Sequence, residues 1–180
     1  MTPIEFVERG GAVKRYHAMT TLISDTVGQH SFHVAWLATF IWQAIHKSTP
    51  RAELLLAALS HDLAEQEFGD IPAPTKRAVA AMEKVAHLED AHLRQHGFNY
   101  TDDLTLEEKF ILKLADYLDG LRFCNHELDL GNSRMMVVRS RYITYIKDLL
   151  AAHQDVAHLL PPILAPLMEP NYFLYGRDQK

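Results

Sequence analysis

The sequence predicts a single all-α domain of about six to eight helices. Apolar residues recur at three- and four-residue steps along almost every segment, and this spacing is typical of helices that bury one face. No segment alternates apolar and polar residues as a half-buried strand would, and no internal repeat or linker is evident. A chain of 180 residues is long enough to bury its own core. We therefore predict one domain over residues 1–180, with a proline-rich tail from about residue 159.

The first strongly periodic segment predicts a helix from Thr26 to about Lys47. Ser24, Asp25 or Thr26 can cap its first turn, because each offers a side-chain oxygen to a free backbone N–H. The repeating positions include one histidine among apolar residues and are Val27, His30, Val34, Leu37, Ile41 and Ile45.

The second predicted helix runs from Pro50, which suits a first turn, to about Glu67, and Gly69 ends it. The following sequence GDIPAPTK contains two prolines and predicts a loop. Thr105 with Glu108 forms a plausible capping box. Further helices are predicted over residues 75–95, 105–128 and 132–152. The tail predicts a short helix followed by irregular chain.

Composition and charge exclude several classes of protein. A net charge of −5 disfavours a general nucleic-acid binder, which usually carries a basic face. The single cysteine, Cys124, excludes an intramolecular disulfide and a cysteine-rich zinc site. The N-terminus lacks the apolar stretch of a signal peptide, and VAWLATFIW is far shorter than the roughly 20 residues that span a bilayer. We therefore expect a cytoplasmic protein without a membrane or nucleic-acid partner.

The dipeptide His61-Asp62 is the strongest chemical signal in the chain. An imidazole and a carboxylate on one rigid turn can hold a divalent cation, together with ligands from other helices. Mixed nitrogen and oxygen ligands suit manganese, cobalt, iron or zinc better than calcium. The alternative interpretation is a histidine at a helix end that pairs with its neighbouring carboxylate.

Three separated motifs extend this signal: QHSFHVAWLA, SHDLAEQEFGDIPAPTKR and LKLADYLDGLRF. In order and spacing they resemble the HD-domain phosphohydrolase superfamily. The closer likeness is to its YfbR-like branch, which includes bacterial 5′-deoxynucleotidases and the phage dATP triphosphohydrolases (DatZ-like). The segment VKRYHAMTTLISDTVGQHS looks like that branch's lead-in to the first metal histidine. The resemblance covers residues from about 13 to 123.

The resemblance implies a residue set for the site. Its metal ligands would be His30, His61, Asp62 and Asp116. Its catalytic carboxylates, or ligands of a second cation, would be Glu65 and Asp70, and its substrate-binding residues would be Arg15, Tyr16 and Lys76. The expected cofactor is a divalent ion, Zn, Co or Mn, with Mg at a possible second site. The branch usually has Trp where this chain has Tyr16, so the preference for deoxyribose over ribose stays open.

Several of these assignments have rivals. His33, one turn after His30, is an alternative ligand, and Asp119 is an alternative to Asp116. A carboxylate on an apolar helix face is costly unless it is paired or metal-bound, which favours a functional role for this position. Three residues also have interpretations without a functional role. Arg15 would be a surface arginine, Lys76 a solvated lysine and Asp70 a carboxylate that stabilises a turn.

The function implied is metal-dependent hydrolysis of the 5′ phosphoester of 2′-deoxynucleotides. The compact chain and its RYH lead-in favour dATP as substrate, giving deoxyadenosine and triphosphate. The alternatives are a 5′-deoxynucleotidase acting on deoxynucleoside monophosphates, a metal- or nucleotide-binding helical module without catalysis, and a purely structural helical protein. The apolar, proline-rich tail predicts a homo-oligomer, because such a tail can pack against a neighbouring subunit.

Overall fold

The computed structural model describes residues 1–72, 75 and 82–168, with the side chain of Met82 left out. Lys76 and the tail beyond Met168 lie outside the described residues. The described helices are α1 (Pro3–Gly11), α2 (Val27–His46), α3 (Ala52–Ser60), α4 (Glu65–Phe68), α5 (Met82–Gln95), α6 (Leu106–Asp129), α7 (Met136–Ala151), α8 (Gln154–Ala157) and α9 (Pro161–Met168). A 3-10 turn, Ser133–Met135, precedes α7. The described part contains no strand, so the all-α prediction is confirmed.

The two longest helices, α2 and α6, form the centre of the fold, and both begin at a predicted cap. Thr26 accepts the N–H of Gln29, and the Gln29 side chain accepts the N–H of Thr26. Thr105 and Glu108 form the same reciprocal pair at the start of α6. These caps satisfy N–H groups that have no partner within the helix.

The main core lies where α3 packs on α2 and where α7 packs on α6. It is built from aliphatic side chains that are removed from solvent. They include Val34, Ile41, Leu54, Ile111, Leu114, Leu118, Leu121 and Ile146. Burial of such side chains contributes roughly 1.5 to 3 kcal/mol each. Cys124 is also fully buried, in a neighbouring cluster with Phe123 and Met135.

The predicted second helix is interrupted at the His61-Asp62 pair. Backbone hydrogen bonds change there from i→i−4, as in His61 N–H to Ala57, to i→i−3, as in Glu65 N–H to Asp62. The helix also starts two residues later than expected, because Arg51 is its N-cap and Pro50 lies before it. The apolar periodicity runs through residues 52–67 without a break, so the sequence alone does not reveal this turn.

Helix α1 packs closely on the turn that follows α3. A Cβ at Gly10 would lie 2.7 Å from the carbonyl oxygen of Leu63, so only glycine permits this approach. After α1 the chain pairs through a single bridge between Lys14 and Thr26. The segment that carries Arg15 is therefore held between the start of α2 and the turn after α3.

Two buried polar networks fix the chain around α6. Glu127 accepts the N–H groups of Leu22 and Ile23 and a hydrogen bond from Asn132. The first network anchors the segment that leads from Arg15 to α2. In the second, Arg139 and Asn125 bond each other and the carbonyl groups at the end of α9.

Trp36 is 50% exposed beside Phe40 on the outer face of α2. Within the described residues, no helix combines the length and the apolar character needed to cross a membrane.

Candidate metal centre and cavity

His30 is the most buried member of the site, on the face of α2 that packs against α6. Its side chain is fully buried, and its Nδ1 lies 2.7 Å from Oδ2 of Asp119. Its Nε2 points the other way, 3.5 Å from Oδ2 of Asp62 and 3.4 Å from Oδ1 of Asp116. Among the described residues, this Nε2 has no hydrogen-bond partner.

His61 is oriented by the turn on which it lies. Its Nδ1–H donates to the carbonyl of Ala58 at 2.9 Å, which leaves Nε2 as the atom with a free lone pair. That Nε2 is buried and has no hydrogen-bond partner in the described part of the chain. It lies 3.5 Å from Oδ2 of Asp62, and the His30 and His61 rings are 5.3 Å apart between centroids.

The donors of His30, His61 and Asp62 fit a divalent cation. One ligand atom from each lies within 4.8 Å of the other two, and bonds of about 2 Å to a shared centre need separations of this order. Two buried imidazole nitrogens without hydrogen bonds are costly unless something binds them. Two imidazoles with carboxylate oxygen suit zinc, cobalt or manganese.

Asp116 borders this group from α6. Its Oδ1 faces Nε2 of His30, while its Oδ2 accepts a hydrogen bond from Lys113 at 2.8 Å. The structure thus brings together all four residues that the sequence predicted as ligands. His30, His61 and Asp62 have the most closely spaced ligand atoms. The fourth residue, Asp116, also forms an ion pair with Lys113.

The charges at the centre favour ionised carboxylates and one neutral imidazole. Burial lowers the pKa of His61. Burial acts to raise the pKa of Asp62, but His61, His30 and Arg15 outweigh it and lower that pKa. For Asp116 burial is outweighed by Lys113 and His30, and the pKa lies well below its ordinary value.

The pKa of His30 is raised to about 9. Burial and the Arg15 cation act to lower this pKa, but the surrounding carboxylates Asp116, Asp119 and Asp62 outweigh both. A bound cation must therefore displace a proton from this imidazole, since only the neutral ring is a ligand.

A cavity of about 590 Å³ opens onto Asp62 and Asp116. Its volume lies in the range of pockets that bind small organic ligands. Its walls combine carboxylates, cations and aromatic rings. They are Arg15, Tyr16, Ala18, Met19, Asp62, Glu65, Asp70, Ile71, Pro72, Lys113, Asp116, Tyr117, Val138, Arg141, Tyr142 and Tyr145.

Arg15 reaches the metal centre from the segment before α2. Its backbone N–H donates to the carbonyl of Asp25, and its Nε lies 3.7 Å from the carboxylate of the same residue. Its Nη1 is buried without a hydrogen-bond partner in the described structure, 3.7 Å from Oδ2 of Asp62. Arg15 is therefore a buried cation directed at the centre and not a surface arginine.

Tyr16 has a left-handed backbone conformation, with φ of 55°, that is uncommon for a residue with a side chain. Asp70 stabilises it by accepting the Tyr16 N–H at 2.9 Å. The ring stacks on Phe123 at 4.5 Å between centroids, and its hydroxyl lies 3.2 Å from that of Tyr142. Asp70 thus lines the cavity and holds one of its walls, whereas Glu65 is 5% exposed at the edge of the metal centre.

Apart from Asp116 and Asp119, the sequence did not single out Lys113 or the tyrosines that α6 and α7 contribute. Lys113 bonds Asp116 and lies 4.7 Å from the centre of the Tyr117 ring. Tyr142 comes close because Gly120 leaves room for its ring, where a Cβ would overlap it. Lysine and tyrosine at helical spacing look like surface and core positions, so only the packing of the two helices reveals their place.

A second cavity, of about 390 Å³, lies on the other flank of the metal centre. Asp116 and Lys113 line both cavities, and His61 lines only the second. Its outer wall contains Asp90, Thr101, Asp102, Leu104, Lys109 and Leu112. The second cavity therefore borders the centre at His61 and Asp116.

Comparison with known proteins agrees with this architecture. The chain is similar in structure to an HD-domain phosphohydrolase from Listeria innocua, with a TM-score of 0.72 and 21% identity over 94% of this chain and 90% of that one. It is also similar to the HD phosphohydrolase DatZ of cyanophage S-2L, which was solved with dA and one catalytic Zn²⁺ ion. That match has a TM-score of 0.60 and 19% identity, and covers 87% of this chain and 97% of DatZ.

Comparison of sequences identifies a family, whereas comparison of structures shows only the fold. The chain is 28% identical to the 5′-deoxynucleotidase yfbR of Photorhabdus temperata, over 86% of each chain. It is also 28% identical to a 5′-deoxynucleotidase of Cronobacter sakazakii, over 83% of this chain and 84% of that one. The family model described as 5′-deoxynucleotidase YfbR-like matches residues 4–96.

The fold is that of the solved HD-domain phosphohydrolases. Within that class, the chain belongs to the 5′-deoxynucleotidase YfbR-like family.

Proposed function

We propose that the protein hydrolyses the 5′ phosphoester of 2′-deoxynucleotides, with deoxynucleoside monophosphates as its first substrates. One observation carries this proposal. Three nitrogen atoms lie within 3.7 Å of Oδ2 of Asp62: Nε2 of His30, Nε2 of His61 and Nη1 of Arg15. All three are buried without hydrogen-bond partners in the described structure. The two imidazoles, once His30 has lost its proton to the cation, can ligate a metal ion, and the neighbouring guanidinium can bind a phosphate.

His30, His61, Asp62 and Asp116 would hold the divalent cation. A cation bound there supplies Lewis acidity toward a phosphoryl oxygen and lowers the pKa of water. Arg15 stabilises the negative charge that grows on the phosphoryl oxygens during attack. Its position is set in advance by Asp25, so little reorganisation is needed when substrate binds.

Glu65 is the side chain best placed to move protons. It lines the cavity one turn after the ligand turn and is almost fully buried. Its carboxylate takes a proton from the attacking water as the bond to phosphorus forms. It then returns a proton to O5′ as the P–O5′ bond breaks, because a sugar alkoxide is a poor leaving group.

The rest of the large cavity suits a nucleoside. Tyr16 forms one wall, Asp70 holds its backbone, and Tyr117, Tyr142 and Tyr145 offer further aromatic surface. Aromatic faces favour stacking with a base. Lys76 stays a proposed phosphate ligand, since it lies outside the described residues.

The monophosphate takes precedence over the dATP that the sequence favoured, because the relatives in both sequence comparisons are named 5′-deoxynucleotidases. Hydrolysis of dATP to deoxyadenosine and triphosphate is the second candidate. The cavity beyond Asp116 favours it, since it offers space next to the centre for two outer phosphates.

A product analysis tests both candidates. Purified protein loaded in turn with Zn²⁺, Co²⁺, Mn²⁺ or Mg²⁺ is incubated with dAMP, dATP and their ribose counterparts. We expect deoxyadenosine and orthophosphate from dAMP. Deoxyadenosine and triphosphate from dATP, with dAMP left intact, would establish the second candidate. The absence of any deoxynucleoside with every metal would contradict the proposed function, and His61→Ala provides the inactive control.

A further inference from the structure

Four side chains between α2 and α6 form a continuous set of polar contacts behind the metal centre. It starts at His30, whose Nδ1 lies 2.7 Å from Oδ2 of Asp119. The other oxygen of Asp119 accepts a hydrogen bond from Nε of Arg122 at 2.7 Å. Nη2 of Arg122 then lies 3.0 Å from Nδ1 of His33. The set closes on α2, one turn after its starting point.

The donors and acceptors in this set determine which nitrogen atoms carry protons. A guanidinium only donates, so Nδ1 of His33 must be the acceptor and must be unprotonated. Burial and the neighbouring Arg122 cation both lower the pKa of His33, in keeping with that role. An ionised Asp119 only accepts, so Nδ1 of His30 carries the proton. When a cation displaces the other proton, the lone pair of the neutral His30 ring is therefore on Nε2, the atom that faces Asp62 and Asp116.

Burial decreases along the set from the centre to the surface. The side chains of His30 and Asp119 are 0% and 1% exposed, and those of Arg122 and His33 are 22% and 35% exposed. A carboxylate as buried as Asp119 is costly unless its charge is compensated. Arg122 provides that compensation, and burial alone would raise the pKa of Asp119, which His30 and Arg122 instead lower.

We propose that Asp119 is a positioning residue that acts on the metal through His30, and that Arg122, with His33 as its outer partner, holds Asp119 in place. Asp119 sets the tautomer and the ring orientation of His30 and raises its basicity as a ligand. This inference rests on the proposed metal centre. It also places His33 beside Arg122 and Asp119, with Nδ1 at 3.0 Å from Nη2 of Arg122 and 3.4 Å from Oδ1 of Asp119, and not on the metal.

The test is the affinity of the purified protein for Zn²⁺ without substrate, measured by competition with a chromophoric chelator. We expect Asp119→Asn to weaken Zn²⁺ binding by about 10- to 100-fold, the loss typical when the outer partner of a histidine ligand is changed. Arg122→Gln should weaken it less, because Asp119 keeps its contact with His30. With saturating Zn²⁺, Asp119→Asn should change kcat more than KM, since Asp119 does not line the cavity.

Glu127→Gln is the matched control. Glu127 is a buried carboxylate on the same helix that also accepts several hydrogen bonds, but its partners are Leu22, Ile23 and Asn132. This variant should lower the melting temperature and leave Zn²⁺ affinity within twofold of wild type. Asp119→Asn with equal Zn²⁺ affinity and a lowered melting temperature would overturn the proposal, because Asp119 would then be purely structural.

Two further results can be interpreted: an Asp119→Asn variant that does not fold, and a wild-type protein that binds no Zn²⁺. If Asp119→Asn does not fold, Arg122→Gln decides, since its side chain is partly exposed and its removal leaves no cavity in the core. Unchanged Zn²⁺ affinity in a folded Arg122→Gln would then overturn the proposal. If wild-type protein binds no Zn²⁺ at all, the metal centre of the proposed function fails as well, whereas a metal-binding wild type with an indifferent Asp119→Asn overturns only this inference.

Discussion

At the scale of single residues, the proposed role of Glu65 separates binding from chemistry. It lies three residues after the ligand Asp62, on the short helix α4, and is nearly buried at the edge of the large cavity. It belongs neither to the tight His30, His61 and Asp62 group nor to the set that orients His30. A residue so placed can affect proton transfer without affecting the cation.

Replacing Glu65 by glutamine should therefore lower kcat for dAMP by about 10²- to 10⁴-fold, the usual contribution of general acid–base catalysis. The Zn²⁺ affinity should stay close to that of wild type. Steady-state kinetics with saturating metal measure the first quantity, and chelator competition measures the second.

Glu67→Gln is the control for this variant. Glu67 is on the same short helix but is 46% exposed and pairs with His92. Its replacement should leave kcat unchanged. Equal kcat in Glu65→Gln and wild type would remove Glu65 from the mechanism and would favour a binding module without catalysis.

At this scale the motif residues were predictable, and the aromatic cavity walls from α6 and α7 were not. His61 and Asp62 are adjacent in sequence, and Arg15 lies in a recognisable lead-in to His30. Tyr142 gave no such signal, because an aromatic residue at helical spacing is most often part of a core. Its place in the cavity depends on the close approach that Gly120 permits.

At the scale of helices, the α6 N-terminus joins two elements through one carboxylate. Glu108 is 1% exposed and accepts hydrogen bonds from Thr105 and from Nε and Nη2 of Arg51. Arg51 is also the N-cap residue of α3. The hydrogen bonds from Arg51 have the largest effect on the pKa of Glu108. Together with those from Thr105 they lower it from 4.5 to about 2, although burial acts in the opposite direction.

The sign of the resulting pH dependence follows from that lowered pKa. The contribution of Glu108 to stability is fully present above about pH 4.5 and is lost as the pH falls toward 2. We expect Glu108→Gln to be less stable than wild type at pH 7, and the difference to shrink between pH 4.5 and pH 2. Urea unfolding at several pH values measures it. Glu83→Gln, at an exposed position in α5, should show no such convergence.

The contact between α6 and α7 depends on Gly120. Because a Cβ there would overlap the Tyr142 ring, Gly120→Ala should destabilise the protein by about 1 to 3 kcal/mol, as overpacking of a core does. The displaced Tyr142 should also raise KM for dAMP, since its ring lines the cavity. Gly11→Ala is the control, because its nearest Cβ contact would be an ordinary 3.8 Å. An unchanged melting temperature and KM in Gly120→Ala would contradict this account.

Helix positions were predictable where a cap or a glycine marks them, and uncertain elsewhere. Thr26 and Thr105 combine a capping side chain with a glutamine or glutamate three residues later, and both caps are present. The break at His61 could not be predicted, because Leu63 and Ala64 continue the apolar pattern of α3. The turn after α3 packs against Gly10, which is remote in sequence, and the local pattern carries no sign of that contact.

At the scale of the whole molecule, the metal centre connects the main elements. His30 is on α2, His61 and Asp62 lie on the turn after α3, and Asp116 is on α6. A cation bound by these residues links three parts of the chain that are far apart in sequence. Ligands that bind only the folded state stabilise it by mass action.

Zn²⁺ at 100 times its Kd should therefore raise the free energy of unfolding by about 2.7 kcal/mol. Chelation should reverse this gain and abolish activity, and His61→Ala should lack the Zn²⁺-dependent part. His96→Ala, outside the site, should retain it. Denaturant unfolding with and without Zn²⁺ measures this free energy. A wild-type unfolding curve that Zn²⁺ does not change would contradict the assignment of ligands.

Homo-oligomer formation and a cytoplasmic location stay predictions from the sequence, as does the single domain over residues 1–180. The first depended on the apolar tail, whose described part, up to Met168, packs on the main core through Leu160 and Leu167. Association between chains depends on surface complementarity, and a sequence pattern does not specify that.

The two cavities on either flank of Asp116 have a kinetic consequence. A nucleoside seated among the tyrosines would occupy one opening, and an inorganic anion released beside Lys113 would face the other. Neither product would then obstruct the exit of its companion, so departure would follow no compulsory sequence. When product release is slower than the chemical step, turnover in such an enzyme is governed by the fragment that dissociates more slowly, irrespective of which one leaves first.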